Sequence, residues 1–189
     1  SIYMALGLIF TNAETLRIAR ATKPITIFTA LGYGTVGVIP IVLIVFIVIL
    51  LAMYFFHTKT LAGRSISLMG GNKDAAFLAG YNVKRTMRMV YAISGLMSGM
   101  AAISLVARTT TATATCGTGF ETEAILCVVV GGTSLKGGKG NVIRTMLGVV
   151  LITLLGNCMN MLGLSTYMQT VMRGAVLVVA IWLDNRKGQ

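Results

Sequence analysis

The segment Val36–Phe56 reads VGVIPIVLIVFIVILLAMYFF, and this apolar run decides the fold class. A helix needs ~20 predominantly apolar residues to cross the hydrocarbon core of a bilayer, and this run is that long without a charged residue. Pro40 lies near its start, where a missing backbone N–H is tolerated. Because lipid cannot satisfy backbone hydrogen bonds, we expect the segment to be a membrane-spanning helix.

The composition of the whole chain agrees with this assignment. Of its 189 residues 56% are hydrophobic and 11% are charged, whereas a soluble domain carries about a quarter charged residues. The apolar runs lack the alternation of a lipid-facing barrel strand. Further apolar segments lie at Met89–Ala107, Ala124–Val130, Asn141–Leu162 and Thr166–Leu183. We therefore predict an all-α polytopic membrane protein with about five membrane-embedded helices, of which Ala124–Val130 is too short to span alone.

The chain divides by composition into two parts. We expect residues 1–37 to be the end of a truncated membrane segment followed by an external connector. Residues 38–189 would form a single transmembrane domain, with a cytoplasmic region at 57–88. The chain starts at Ser1 within the apolar run SIYMALGLIF and without an initiator Met. This start indicates that the N-terminal part of a longer protein precedes it.

The net charge of +11 indicates membrane orientation rather than nucleic-acid binding. If Val36–Phe56 runs inward and the later helices alternate, most basic residues fall on one side, which is then the cytoplasm. Arg17, Arg20, Lys23 and Arg108 fall on the other side, and Arg173 lies within a span. The inner set is Lys59, Arg64, Lys73, Lys84, Arg85, Arg88, Lys136, Lys139, Arg144, Arg186 and Lys187.

The polar connector Gly63–Arg88 reads GRSISLMGGNKDAAFLAGYNVKRTMR and is patterned. Asn72 is placed to cap a short helix at Lys73–Ala79, Gly80 to end it, and Asn82 to open the next turn. This short helix is either a docking element for another protein or an amphipathic helix at the membrane surface. The small residues that a partner could approach are Ala75, Ala76 and Ala79.

The glycine-rich segment Gly131–Asn141 reads GGTSLKGGKGN and invites comparison with a phosphate-binding loop. The Walker A pattern GxxxxGK[ST] would require glycine in place of Thr133 and Ser or Thr in place of Gly140. The pattern fails at both positions. We predict a tight turn between two helices, with Lys136 and Lys139 at the inner headgroups.

Polar residues inside apolar helices are costly and therefore candidates for function. Thr153, Asn157 and Asn160 form a stripe on one helix, which either lines a translocation path or makes hydrogen bonds between helices. Arg173 is expected to pair with Glu121 or Glu123, or to extend outward. A GxxxG pair, Gly95 and Gly99, is expected to let another helix approach closely.

The sequence contains no recognisable catalytic constellation. His57 is the only histidine, and Cys116, Cys127 and Cys158 show no metal-ligand spacing. We expect no metal and no cofactor, and we expect that the chain is not an enzyme.

At the connector and beyond it, the chain resembles the inner-membrane permeases of bacterial ABC importers of the ribose, xylose and arabinose class. The matching stretches lie between Gly63 and Arg186, in the family's order. They are GRSISLMGGNKDAAFLAGYNVKR, YAISGLMSGMAA, GTGFETEAILCVVVGGTSLKGGKGNV and AIWLDNR.

This resemblance implies the last five spans of a ten-span type II importer permease in the bacterial inner membrane, with a cytoplasmic C-terminus. It implies a monosaccharide cargo, a separate ABC ATPase, a second permease copy in a homo- or heterodimer, and a periplasmic or lipid-anchored sugar-binding protein. The region 71–83 would seat in the ATPase. Its implied coupling residues are Gly71, Asn72, Lys73, Asp74, Ala75, Ala76, Ala79, Gly80 and Asn82.

Two other functions remain open on the sequence. One is half of an ion-driven secondary transporter or channel, for which a buried carboxylate relay would be the sign. The other is an ABC permease for nucleosides or branched-chain amino acids.

Overall fold

A computed structural model describes residues 2–12, 14–17 and 26–187, and these residues are mainly helical. Four strands of two residues each accompany the helices: β1 (Leu16–Arg17), β2 (Thr35–Val36), β3 (Ile39–Pro40) and β4 (Thr111–Ala112). The helices are α1 (Ile2–Thr11), α2 (Thr26–Tyr33), α3 (Ile41–Lys59), α4 (Leu61–Gly71), α5 (Lys73–Leu78), α6 (Val83–Thr109), α7 (Phe120–Val130), α8 (Val142–Met161) and α9 (Thr166–Lys187).

Within the described residues, three helices are long and apolar enough to cross a membrane: α3, α6 and α8. The apolar part of α9, Thr166–Trp182, is shorter, and so is α7. The prediction of an all-α polytopic membrane protein is confirmed. Each strand has two residues, which is too short to cross a membrane; β2 and β3 lie at the start of the apolar run Val36–Phe56.

The first predicted span begins later than the apolar run does. β2 and β3 pair antiparallel, with Thr35 opposite Pro40 and Val36 opposite Ile39. Gly37 turns this hairpin with φ +67°, a value that glycine adopts without steric cost. The helix therefore runs from Ile41 to Lys59 rather than from Val36 to Phe56.

The polar connector contains more helix than the sequence analysis predicted. α4 was missed because its three glycines and two serines lower helix propensity. Thr60 caps it by accepting a hydrogen bond from the N–H of Gly63 (3.1 Å). α6 begins at Val83, ahead of the predicted Met89, because Asn82 accepts from the N–H of Arg85 (3.0 Å).

The chain falls into two compact units. Unit 1 contains Ser1–Leu51 and Arg88–Thr118, and unit 2 contains Ala52–Met87 and Gly119–Gln189. In unit 1, β1 pairs antiparallel with β4, and the hydroxyl of Tyr33 donates to the carbonyl oxygen of Arg108 (3.2 Å). The predicted division at residue 37 stays a prediction.

The core of unit 2 lies where α7, α8 and α9 meet. Leu126 and Cys127 of α7 and Ile152 of α8 are buried, and Val176 and Leu177 of α9 pack against them. These apolar contacts hold together the helices that carry Asn160, Gln169 and Arg173.

Candidate functional site

Asn72 joins α4 to α5 without a spacer residue. Its backbone N–H donates to the carbonyl oxygen of Leu68 (3.1 Å) and so closes α4. Its Oδ1 accepts from the N–H groups of Asp74 (2.9 Å) and Ala75 (3.0 Å) and so caps α5. The cap predicted from the sequence is confirmed, and Asp74 adds a negative charge where the helix dipole favours one.

The other end of α5 is closed by a Schellman motif. The N–H of Gly80 donates to the carbonyl oxygen of Phe77 (3.0 Å), and that of Tyr81 donates to Ala76 (3.1 Å). Gly80 has φ +84°, and a side chain there would meet nothing within 4 Å. Glycine is therefore required by backbone conformation rather than by space. The helix ends at Leu78, one residue before the predicted Ala79, which is the C-cap.

The C-terminal half of α5 exposes two large apolar side chains. Phe77 is 70% exposed and Leu78 is 85% exposed. Ala75 and Ala79 are also exposed, whereas Ala76 is buried. The expectation that all three alanines lie on one accessible surface is therefore wrong for Ala76, which faces inward while the two large side chains face outward.

A groove of about 550 Å³ lies beside this helix end. Its base is the turn between α5 and α6, and the exposed amine of Lys84 adds positive charge at its edge. The residues that line it are Phe77, Gly80, Tyr81, Asn82, Val83 and Lys84. We call Phe77 and Leu78, together with this groove, the α5 surface. It combines exposed apolar side chains with the positive charge of Lys84.

Gly131–Asn141, here called the glycine loop, is a tight turn between α7 and α8, as predicted. The N–H of Ser134 donates to the carbonyl oxygen of Lys139 (3.0 Å), and that of Gly137 donates to Ser134 (3.1 Å). Gly137 and Gly138 have φ values of +90° and +75°. Side chains are strained at both positions, which accounts for the double glycine.

Asp184 of α9 holds the glycine loop from the side. Its Oδ2 accepts from the hydroxyl of Ser134 (3.2 Å) and from the N–H of Leu135 (3.3 Å). This contact is not predictable from the sequence, because the partners lie 50 and 49 residues apart. The only sequence signal was an acidic residue in the otherwise basic closing segment.

The predicted polar stripe on α8 separates into two parts. Asn160 accepts from the side-chain amide of Gln169 on α9 (2.8 Å), which also donates to the carbonyl oxygen of Leu164 (3.0 Å). Asn160 therefore makes a hydrogen bond between helices, which was the alternative to lining a translocation path. Thr153 and Asn157 are exposed, and the hydroxyl of Thr153 donates to Val149 within its own helix (2.8 Å).

Arg173 of α9 pairs with Glu123 of α7, with 3.2 Å between Nη1 and Oε1. Of the two acids that the sequence offered, the structure selects Glu123. Each side chain is about one-third exposed (35% and 33%). Gly156 of α8 leaves room for the guanidinium, because a Cβ there would stand 3.2 Å from Nη2.

Two further sequence candidates are the GxxxG pair of α6 and His57. A side chain at Gly95 or Gly99 of α6 would meet nothing within 4 Å, so their role in helix packing stays a prediction. The ring of His57 lies 3.4 Å from the hydroxyl of Ser67, near the α3–α4 junction.

The chain matches the family described as "Branched-chain amino acid transport system / permease component" over residues 1–181. It is 39% identical to the ribose import permease protein of Escherichia coli strain K12 over 95% of this chain and 56% of that protein. It is 34% identical to the ribose import permease protein of Bacillus subtilis strain 168 over 99% and 57%.

A third relative is the xylose transport system permease protein of Escherichia coli K12, 38% identical over 78% of this chain and 37% of that protein. These relatives are transport permeases rather than enzymes. The chain spans about half the length of the curated relatives it matches. No solved structure matches it.

Proposed function

Because the chain belongs to the family of branched-chain amino acid transport system permease components, we propose that it forms part of the permease of an ABC importer for a monosaccharide. The names of its relatives support a sugar as cargo: ribose import and xylose transport at 34–39% identity. The observation that carries the mechanism is the α5 surface, a helix capped at both ends that exposes Phe77 and Leu78.

In this proposal α5 docks into a separate ABC ATPase on the cytoplasmic side. In this proposal the energy comes from that partner, and the glycine loop itself lacks the residues of a Walker A motif. The basic residues around α5 and in the glycine loop support a cytoplasmic location for both segments, and we propose the same side for the C-terminus. The proposed coupling residues are those implied by the resemblance, except that Ala76 is buried and would support α5 from inside rather than contact the ATPase.

The remaining partners follow from the importer architecture. A second permease copy, identical or homologous, would complete the pathway, and a periplasmic or lipid-anchored binding protein would deliver the sugar. Thr153 and Asn157 are our proposed contributors to the path, since they expose polar groups on an apolar helix. Asn160 contributes less directly, because Gln169 occupies its side-chain oxygen.

The test uses the full-length permease reconstituted with its ATPase and binding protein. The double variant Phe77→Ala/Leu78→Ala removes the exposed apolar surface of α5 and should weaken ATPase binding about tenfold or more, as loss of an interface hot spot does. The control is Leu162→Ala, because Leu162 is similarly exposed (76%) but lies after α8. Equal ATPase binding by both variants would overturn the proposal.

A second cargo class deserves a parallel assay because the family description names branched-chain amino acids. Uptake of radiolabelled ribose or xylose should be competed by sugars and not by leucine. Inhibition by leucine alone would assign the other cargo. Uptake driven by an ion gradient without any ATPase would favour the secondary-transporter alternative.

A further inference from the structure

The glycine loop contacts three helices of unit 2 at three separate places. The first contact is with α8. A Cβ built on Gly131 would stand 2.6 Å from the carbonyl oxygen of Arg144 and 2.7 Å from the Cα of Thr145. The hydroxyls of Thr133 and Thr145 also lie 3.3 Å apart. The first part of the loop is thus seated directly on the backbone of α8.

The second contact is with α9, through the carboxylate of Asp184. It accepts one hydrogen bond from the Ser134 side chain and one from the Leu135 backbone. The Ser134 hydroxyl also accepts from the N–H of Lys136 (3.3 Å). One carboxylate therefore fixes both the position of the loop and its internal turn.

The third contact is with the C-terminal end of α4, and it is made by glycines on both sides. A Cβ on Gly70 would stand 2.8 Å from the backbone nitrogen of Gly138. A Cβ on Gly138 would stand 2.7 Å from the Cα of Gly71. No side chain separates the two backbones, and the contact lies immediately before Asn72, the joint to α5.

We propose that the glycine loop is the connection through which displacement of α5 reaches α8 and α9, with Asp184 and Gly70 as positioning residues. This inference rests on the proposed docking of α5 to an ATPase. α4 and α5 share the capping residue Asn72, and Ala76 is buried, so the two helices move as one piece. The loop abuts that piece through backbone atoms and is hydrogen-bonded to α9. A displacement is then passed on without rearrangement of side chains.

The first experiment measures sugar uptake and ATP hydrolysis by the full reconstituted importer. Gly70→Ala places a methyl group between α4 and the loop, and we expect uptake per ATP hydrolysed to fall about fivefold or more. Gly174→Ala is the matched control, because Gly174 is also helical and a Cβ there meets nothing within 4 Å. Full coupling in Gly70→Ala would overturn the inference.

Asp184 gives a second pair of variants. Asp184→Ala removes the acceptor and should uncouple uptake from hydrolysis, whereas Asp184→Asn keeps an acceptor oxygen and should restore most of the coupling. The same defect in both variants would contradict the positioning role. ATPase binding should persist in all loop variants, which separates them from Phe77→Ala/Leu78→Ala. If that double variant loses the ATPase while Gly70→Ala stays coupled, only the present inference fails.

A spectroscopic measurement leaves Gly70 and Asp184 unchanged and so does not depend on the folding of their variants. Spin labels replace Leu68 of α4 and Leu135 of the glycine loop, which are 52% and 53% exposed, after the exposed Cys116 and Cys158 are changed to Ser. We expect the same distance between the labels in nucleotide-free and ATP-bound importer. A distance that changes between the two states would show that α4 and the loop separate, and would overturn the inference.

Discussion

The glycines of α8 and those of α6 have different surroundings. In unit 2, a Cβ on Gly148 of α8 would stand 2.8 Å from the backbone nitrogen of Gly131, so α7 and α8 touch backbone to backbone. In unit 1, Gly95 and Gly99 of α6 form a GxxxG pair on which a Cβ would meet nothing within 4 Å. The GxxxG pair therefore has no close neighbour among the residues that the structure describes, whereas the close backbone contact is made by Gly131 and Gly148, which belong to no GxxxG motif.

This difference shows what a glycine motif can tell a reader of the sequence. GxxxG marks a helix face that another helix can approach closely, but it does not say which helix does so. The pair Gly131 and Gly148 lies on different elements, so no spacing rule could bring the two residues together. Close backbone contact is a property of the fold: among the described residues it occurs between α7 and α8 and at the glycine loop, and also at Gly63 after α3 and at Gly32 of α2 against Ala107 of α6.

The largest expected effect tests this comparison directly. Gly148→Ala should lower the free energy of unfolding by about 2–3 kcal/mol, because backbone atoms cannot give way as a flexible side chain can. Gly99→Ala should leave it unchanged or raise it by up to about 1 kcal/mol, because alanine favours the helix. Denaturant titration of the full-length protein in detergent micelles, followed by circular dichroism, measures both. Similar values for the two variants would refute the distinction.

A smaller effect is expected for the ion pair beside Gly156, where the glycine faces the flexible side chain of Arg173 rather than backbone. The Arg173–Glu123 pair beside it is about one-third exposed, so a double-mutant cycle should give a coupling free energy of about 1 kcal/mol. Arg173→Ala, Glu123→Ala and the double variant form the cycle. Glu121→Ala is the control, as the acid in the same helical turn that the structure leaves unpaired with Arg173. Equal coupling of Arg173 to both glutamates would contradict the assignment.

The last expected effect, at Asn72, is of similar size but confined to a few residues. Asn72→Ala should cost about 1 kcal/mol of local stability through loss of the cap. Hydrogen–deuterium exchange should then accelerate at the amides of Asp74 and Ala75, which donate to the Asn72 side chain in the unsubstituted protein. Asn82→Ala should instead accelerate exchange at Arg85. Faster exchange throughout the connector in either variant would mean that the caps do not act locally.

Local features of this molecule could be predicted from the sequence because their partners lie within one helical turn. The cap at Asn72, the helix end at Gly80 and the apolar helices are of this kind. α4 escaped prediction because its glycines, which make room for the loop, also lower its helix propensity. The bonds from Asp184 to the loop and from Gln169 to Asn160 join separate helices, and tertiary packing alone selects them. The same holds for Arg173, which had two acids within reach and contacts one.

The single-residue joint at Asn72 has a consequence for chain length. An α-helix turns by about 100° per residue, so one residue added to the end of α4 before Asn72 would turn the point where α5 leaves by about that angle around the α4 axis, and α5 would leave in a different direction. Phe77 and Leu78 would swing away from their outward direction, and the small methyl group of Ala76 would no longer face inward. We therefore expect epitope tags and natural insertions to be rejected at this joint. The turns at residues 113–118, which lie between α6 and α7, are a better place for them.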